Sequence, residues 1–510
     1  MSDEMLSLLI GSSLRVQDKE QLDEFLARPD AAEVVKTASF EEVFFAVKHV
    51  GLADSMELLP LISSKQVRGF IDLDCWRKDN FVRKPFMEWV AAFIQAGPEE
   101  TVRALSGIDE LVVALFLKDL IHVYEVDRDD PPEGTQLIFT SDNRFGVEPV
   151  EEGEPTTIGM LILDALFKYY PALGSRILTS VRYTSRAELE ETAFQNKTRR
   201  LEAHGFVDYY EALSIYAGPE PHETHAVADK QPSVAAIPGE ESPGNLPALF
   251  VDSLMGGPFL IKAFERVTDP ADAERLAEQL TALGNRILSA NLVNLGELEG
   301  IRPVLSEMRD FLTIGLEHLS GRRAELGPEL LRKNYVQTIF KIGFDQVAKL
   351  RDDADDLARV PGFQVALLDT DDREFVEALR RFKPLVYSPS GFRNFESLTD
   401  VEKARTRLNA LHAMVETFVA TFGAVQQTLS RTFNTATIHF VLHGTFQPNP
   451  INAADLEKWL AQGFKLPDID VPEPIQPFAA QWWSELREEL EPLVGKKIDP
   501  RFIASLVVKL

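Results

Sequence analysis

The segment from Asp72 to Asp79 concentrates acids, bases, a thiol and an indole. Such a mixture could form a recognition surface with the indole as its anchor, because aromatic side chains often dominate binding energy at interfaces. The structural alternative, which we favour, is that Trp76 fills the core at a helix end while the charged residues pair across the turn. The candidate binding residues are Asp72, Asp74, Trp76, Arg77 and Lys78.

The single cysteine, Cys75, is a poor candidate for a nucleophile. A reactive thiol needs a base beside it, and the neighbouring sequence contains no histidine. We therefore expect a buried structural thiol. One cysteine also cannot form an intrachain disulfide, so the fold does not depend on an oxidising compartment, and we predict a cytoplasmic protein.

Two groups of residues could in principle hold a metal ion. Glu220, His222, Glu223 and His225 are closely spaced, but their Pro-rich setting offers no second shell to orient them. His439 and His443 would share one face of a helix, yet no third ligand is evident and their β-prone neighbours make a helix doubtful there. We predict no metal site and no cofactor.

Motifs of the common enzyme classes are absent from the sequence. It contains no phosphate loop, dinucleotide fingerprint, H-E-x-x-H motif, nucleophile elbow or kinase signature. We therefore predict a non-enzymatic protein that presents helical surfaces to a protein partner. The alternative is an enzyme or small-molecule binder whose site is assembled from distant residues, such as His318, Tyr387, Arg393 and His412.

The formal net charge of −27 argues against a nucleic-acid partner, because the chain would be repelled by a phosphate backbone. Its apolar runs are too short to span a bilayer, and its acidic first residues do not resemble an export signal. We expect a soluble protein without membrane insertion. The sequence does not indicate an oligomeric state.

Short helices with recognisable caps follow one another between Ser39 and Glu125. Ser39 with Glu42 and Ser63 with Gln66 form capping boxes, and Pro98 can open a further helix. Helices this short are unstable alone and must stack side by side. The pattern predicts an α-solenoid-like N-terminal domain.

Two interruptions divide the rest of the chain. The β-prone runs 135–140 and 144–147 flank a turn and predict a small β-hairpin. Residues 217–246 are rich in proline and lack aromatic residues, which predicts a flexible linker. The resulting division is 1–130 helical repeats, 131–216 hairpin plus helices, 217–246 linker, 247–466 helical bundle and 467–510 a C-terminal docking segment.

The second half carries longer helical patterns. One helix should begin at Asp269 and Pro270, and another at a capping box of Thr399 with Glu402. From Ala404 to Leu429, apolar residues alternate spacings of four and three, which we interpret as a central helix within one bundle. The fold class is therefore mostly α, with a small β-hairpin insertion and a C-terminal helical bundle.

Two resemblances extend this interpretation. The segment GFIDLDCWRKD at 69–79 and the region 381–411, which includes Tyr387-Ser388-Pro389-Ser390, are similar to a bacterial family of domain-of-unknown-function proteins over most of the chain. That resemblance implies a fold but no catalytic residues. Residues 53–118 also resemble the helical N domain of MgtE-type magnesium transporters and flagellar motor switch repeats, which implies superhelical stacking only.

Overall fold

The computed structural model describes Leu14, Val16 and residues 18–219 and 246–509. The chain forms two compact units, the first ending at Ile342 and the second beginning at Gly343. The boundary lies inside one helix, Val336–Ala358. Residues on both sides of the predicted linker belong to the first unit, and residues 220–245, with the acidic and histidine cluster at 220–225, lie outside the described residues.

Short helices make up most of the first part of the chain, as the capping pattern predicts. They are α1 Lys19–Leu26, α2 Ala31–Thr37, α3 Phe40–Val50, α4 Ser64–Asp74, α5 Arg83–Ala96, α6 Pro98–Gly107, α7 Glu110–Lys118, α8 Glu154–Tyr169, α9 Pro171–Tyr183, α10 Arg186–Glu202 and α11 Tyr209–Leu213. A 3₁₀ helix spans Ala53–Leu61. Neighbouring helices pack against one another, for example α4 on α3 and on α6.

The predicted caps explain where several of these helices begin. The Ser63 hydroxyl accepts the amide of Gln66 and the Gln66 side chain returns to the Ser63 amide, which completes a capping box. Ser39 likewise accepts the amide of Glu42, but the Glu42 carboxylate accepts the amide of Leu14 instead. Only half of the second predicted capping box is therefore present.

A small antiparallel sheet interrupts the helices between α7 and α8. It consists of β3 Ile121–Glu125, β4 Ile138–Phe139 and β5 Phe145–Pro149, in the order β3-β5-β4. Strands β4 and β5 form the predicted hairpin, with Ile138 opposite Val147. The sequence analysis missed β3, which is the other neighbour of β5. A shorter hairpin pairs β1 Trp76–Arg77 with β2 Asn80–Phe81.

The first unit continues with further helices after residue 246. They are α12 Ala248–Leu254, α13 Pro258–Phe264, α14 Pro270–Ala290, α15 Leu298–Ser320, α16 Gly327–Lys333 and the first turns of α17 Val336–Ala358. Asp269 caps α14 and Pro270 is its first residue, as predicted. The periodic apolar residues of α14, including Leu276, Leu280 and Ile287, are buried.

The second unit combines helices with two short strand pairs. Its remaining elements are α18 Thr370–Leu379, β6 Val386–Ser388, β7 Gly391–Arg393, α19 Leu398–Phe422, α20 Leu429–His443, β8 Ile451–Asn452, α21 Ala453–Ala461, α22 Gln476–Leu490 and β9 Val508–Lys509. Phe418, Phe433 and Trp482 meet in its core. The predicted mostly α fold with small β insertions is confirmed.

Three local predictions in the second unit are wrong. Helix α19 is capped by Ser397, whose hydroxyl accepts the amide of Asp400, and not by Thr399. The apolar stripe also does not belong to one helix, because α19 ends at Phe422 and Leu429 opens α20. His439 and His443 do lie on a helix, so their β-prone neighbours do not prevail over the surrounding packing.

Across the residues that the structure describes, no helix combines the length and the apolar character that spanning a membrane requires. The five-part domain division stays a prediction, because the two compact units follow different boundaries.

Helix α15 approaches α17 closely enough that only glycine fits at one position. A Cβ atom on Gly315 would lie 2.1 Å from the carbonyl oxygen of Ile339, whereas one on Gly300, in the same helix, would meet nothing closer than 3.6 Å. We expect Gly315→Ala to lower the free energy of unfolding by about 1 to 3 kcal/mol through overpacking.

Gly300→Ala is the matched control, and we expect it to be neutral or to stabilise by about 0.4 to 1 kcal/mol. Chemical denaturation of both variants measures the difference. Equal unfolding free energies for the two variants would show that the close approach of α15 to α17 is not required.

Candidate functional site

The segment singled out from the sequence joins the end of α4 to the β1–β2 hairpin. Asp72, Asp74, Cys75 and Trp76 are buried, Arg77 is half-buried, and Lys78 is exposed in the turn with a positive φ of 58°. The exposed part of the segment is therefore the hairpin turn. Its role as a binding surface stays a prediction.

Asp72 pairs with a cation from a distant helix. Both carboxylate oxygens of Asp72 accept hydrogen bonds from Arg200 of α10, at 2.7 and 2.8 Å. The third arm of the same guanidinium donates to Asp109 at 2.8 Å, and Asp109 also accepts the amide of Leu111 at the start of α7. Burial raises the pKa of Asp72, and this effect exceeds the lowering that the Arg200 guanidinium causes. Arg200 thus joins α4, α7 and α10.

Asp74 has its own set of buried partners. One of its oxygens accepts the indole N–H of Trp89 at 2.8 Å and lies 2.5 Å from the Nζ atom of Lys48. Arg77 turns back and donates to the backbone carbonyls of Asp74 and Trp76. The carboxylate therefore bonds within the protein, but with Lys48 and Trp89 from other helices and not, as the sequence analysis expected, across the turn with Arg77 or Lys78.

Trp76 lies in an aromatic cluster with Phe81 and Phe194. The indole N–H of Trp76 is buried and has no hydrogen-bond partner among the described residues. The amino group of Lys197 lies 5.8 Å from the centre of the Trp76 ring, and burial lowers the pKa of Lys197 to about 8. Burial likewise raises the pKa of the Cys75 thiol well above its usual value, which makes this thiol unreactive.

A second buried acidic pair lies at the start of α3. Glu41 is 3.0 Å from the Nδ1 atom of His204, and Glu42 accepts the amide of Leu14 at 2.7 Å. Burial raises the pKa of Glu42 to about 7. The pair holds the residues before α1 and the turn after α10 against α3.

Of the distant residues that could have built an enzyme site, three lie in the second unit, and each has its own partner there. In the second unit, Tyr387 donates to Asp371, Arg393 forms two bonds with Asp400, and the ring of His412 lies 3.6 Å from Glu416. His318 belongs to the first unit, on α15. Each side chain of the second-unit set has a different carboxylate partner.

His439 and His443 stack with their rings 4.6 Å apart, and Nδ1 of His439 lies 2.9 Å from the carbonyl oxygen of Thr445. Within the ranges that the structure describes, no group of three histidine, cysteine or acidic residues is placed to hold a metal ion.

A large cavity of the first unit lies elsewhere, between the β4–β5 hairpin and α8. We call it the β4 groove; its volume is ≈ 1060 Å³. Three large apolar side chains on its walls are unusually exposed: Ile138 by 52%, Phe139 by 55% and Leu161 by 45%. Its further lining residues include Val147, Pro149, Met160, Leu163 and Phe167.

Helix α8 buries an apolar face and presents a second face, of mixed polar and apolar residues, to the β4 groove. Ile158, Ile162 and Leu166 are buried against the rest of the unit. On another face of α8, residues spaced three or four positions apart line the groove. At this spacing their side chains lie on one side of the helix. These groove-facing residues are Thr157, Leu161, Asp164 and Lys168.

The hairpin that supplies the other wall is held in place by polar contacts. The Asp142 carboxylate accepts the hydroxyls of Thr140 and Ser175, which fastens the turn to α9. Burial alone would raise the pKa of Asp142, but the hydrogen bonds that it accepts keep this pKa below its usual value. Tyr183 donates to Glu125 of β3 at 2.7 Å, which fixes the sheet to the same helix.

The interior of the β4 groove contains an unsatisfied polar atom, and its rim is acidic. Thr156 is 6% exposed, and its hydroxyl has no hydrogen-bond partner among the residues described. Glu151, Glu152 and Asp164 lie on the rim with one cation, Lys168. The apolar walls and the acidic rim suit an apolar ligand that also carries positive charge.

The groove itself was not predicted from the sequence. The hairpin that forms one wall was predicted, and helices were expected to follow it up to residue 216. The missed signal is that Leu161 and Phe167 extend the apolar surface of α8 beyond the face that one core can cover.

Comparisons with known proteins identify a family but no characterised relative. A family model described as a family of unknown function, DUF6178, matches residues 6–509. Neither the curated proteins nor the solved structures include a significant match.

The burial of Trp76 predicts the outcome of two substitutions. We expect Trp76→Ala to lower the free energy of unfolding by about 3 to 5 kcal/mol, because a large buried side chain is lost and a cavity remains. Trp76→Phe should cost only about 1 to 2 kcal/mol, because the indole N–H that it removes has no partner.

Chemical denaturation measures both values, with Lys78→Ala in the exposed turn as the control that should leave stability unchanged. An unaltered midpoint for Trp76→Ala would contradict the core assignment and favour the segment as a binding surface.

Proposed function

The chain belongs to DUF6178, a family of unknown function, and we propose that it is a non-enzymatic protein-interaction protein whose docking surface is the β4 groove. The observation that carries this proposal is the convergence of Ile138, Phe139 and Leu161 on one groove. Apolar side chains exposed together, with a polar rim, are characteristic of surfaces that bind another molecule.

The pairing of the buried charges supports a binding role over a catalytic one. Catalytic groups are usually left free to meet a substrate, whereas Asp72 and Asp74 have their hydrogen bonds within the protein. The thiol of Cys75, the sole cysteine, is buried, and its raised pKa disfavours the thiolate.

We place this binding protein in the cytoplasm, without a nucleic-acid partner. A free cysteine is compatible with a reducing compartment. The net charge of −27 favours a partner that carries positive charge and disfavours a phosphate backbone.

Selection from a phage-displayed library of random twelve-residue peptides tests the proposal. We expect peptides selected on the wild-type protein to bind Phe139→Asp at least about 10-fold more weakly, because the substitution places a charge among the apolar groove residues. Tyr210→Asp is the control, since Tyr210 is an exposed aromatic residue outside the groove. It should leave binding unchanged.

Thermal unfolding of both variants should match that of the wild type, because both side chains are exposed. Selected peptides that bind Phe139→Asp as well as they bind the wild type would refute docking in the groove. If no peptide is selected while the apolar dye 8-anilinonaphthalene-1-sulfonate binds in a Phe139-dependent manner, the groove is a small-molecule site instead.

A further inference from the structure

Among the residues that the structure describes, one edge of strand β4 has no neighbouring strand. In the order β3-β5-β4, β5 is the only described strand that adjoins β4. The amide of Thr140 donates to the carbonyl of Phe145, and hydrogen-bonded pairs alternate along an antiparallel ladder. The N–H and C=O groups of Phe139 therefore point away from β5, toward the open side of the sheet.

The β4 groove includes this open edge. Neighbouring side chains of a strand point to opposite faces of a sheet, yet both Ile138 and Phe139 line the groove. A cavity that touches both faces of a terminal strand must extend around its edge. The exposed backbone of Phe139 and the apolar side chains of β4 and α8 are consequently accessible to one ligand.

The charge on the rim selects among possible ligands. Glu151, Glu152 and Asp164 are exposed, and none of them forms an ion pair with another residue that the structure describes. Among the described residues that line the groove, Lys168 is the only basic one. The rim would repel an acidic ligand and attract a basic one.

We propose that the β4 groove binds an extended segment of a partner protein in which apolar and basic residues alternate, and that this segment pairs with β4 as a fourth strand. The inference rests on the proposed function of the groove. Strand addition satisfies the backbone groups of Phe139, while alternate apolar side chains enter the groove. The basic side chains then lie near the acidic rim.

Four fluorescein-labelled octapeptides test this proposal by fluorescence polarisation on the full chain. In the first, valine alternates with lysine; in the second, valine alternates with glutamate. The third has the composition of the first, with its apolar residues at helical spacing. The fourth is an alternating serine and lysine peptide, which keeps the charge and removes the apolar side chains.

We expect the valine–lysine peptide to bind at least about 10-fold more tightly than each of the other three. Glu151→Gln combined with Glu152→Gln should weaken its binding about 3- to 10-fold and reduce the dependence on salt. Tyr210→Asp should have no effect, because Tyr210 does not line the groove.

Backbone methylation separates strand pairing from other modes of binding. In an extended alternating peptide, the valine N–H groups point to one edge and the lysine N–H groups to the other. N-methylation of all valines or of all lysines therefore blocks opposite edges. We expect one of these two methylated peptides to lose at least about 10-fold in affinity, while the other binds nearly as well as the parent.

The outcomes distinguish this inference from the proposed function. Equal binding of both methylated peptides, or preference for the helically spaced or acidic peptide, would overturn strand addition while leaving the groove as a docking site. If the valine–lysine peptide does not bind, while binding of library-selected peptides still depends on Phe139, strand addition is likewise overturned and the groove remains a docking site. Absence of any Phe139-dependent peptide binding would overturn both.

Discussion

The guanidinium of Arg200 is the interaction on which the first unit most depends. It neutralises the buried carboxylate of Asp72 and that of Asp109 at the same time, so that it joins three helices that are distant in sequence. Removing one partner of such a buried group leaves an uncompensated charge, which typically costs about 3 to 5 kcal/mol. In a chain with a net charge of −27, a buried acid needs a cation from elsewhere in the fold. Arg200 of α10 supplies this cation to Asp72 of α4 and to Asp109 at the start of α7.

The β4 groove depends on this arrangement through α7. That helix is capped by Asp109 and leads into β3, which pairs with β5, and β5 in turn pairs with β4. Contacts of Asp142 and Glu125 with α9 then fix the sheet on its support. A buried, internally bonded framework can hold a surface site in shape without taking part in binding. The charged segment from Asp72 to Lys78 and the groove thus have different roles in one unit.

The fold was predictable to the extent that it is encoded locally. The Ser63 capping box, the Asp269 cap and the β4–β5 hairpin could be recognised because a few adjacent residues determine each of them. The link between Asp72 and Arg200 could not, because no local pattern indicates which of 53 basic residues will meet a given acid. Strand β3 was missed for the same reason, since its partner β5 follows a long connection. To predict the groove, one would have to know which apolar residues of α8 the core leaves uncovered. Only tertiary packing determines that.

Hydrogen–deuterium exchange of the Phe139 amide tests the central claim most directly. This N–H points away from β5, so it should exchange rapidly in the free protein. It should become protected only when a new strand pairs with β4. Mass spectrometry on fragments covering residues 135–145, with and without saturating valine–lysine octapeptide, provides the measurement. We expect exchange at Phe139 to slow at least about 10-fold in the complex. Unchanged exchange there, with the peptide fully bound, would contradict it.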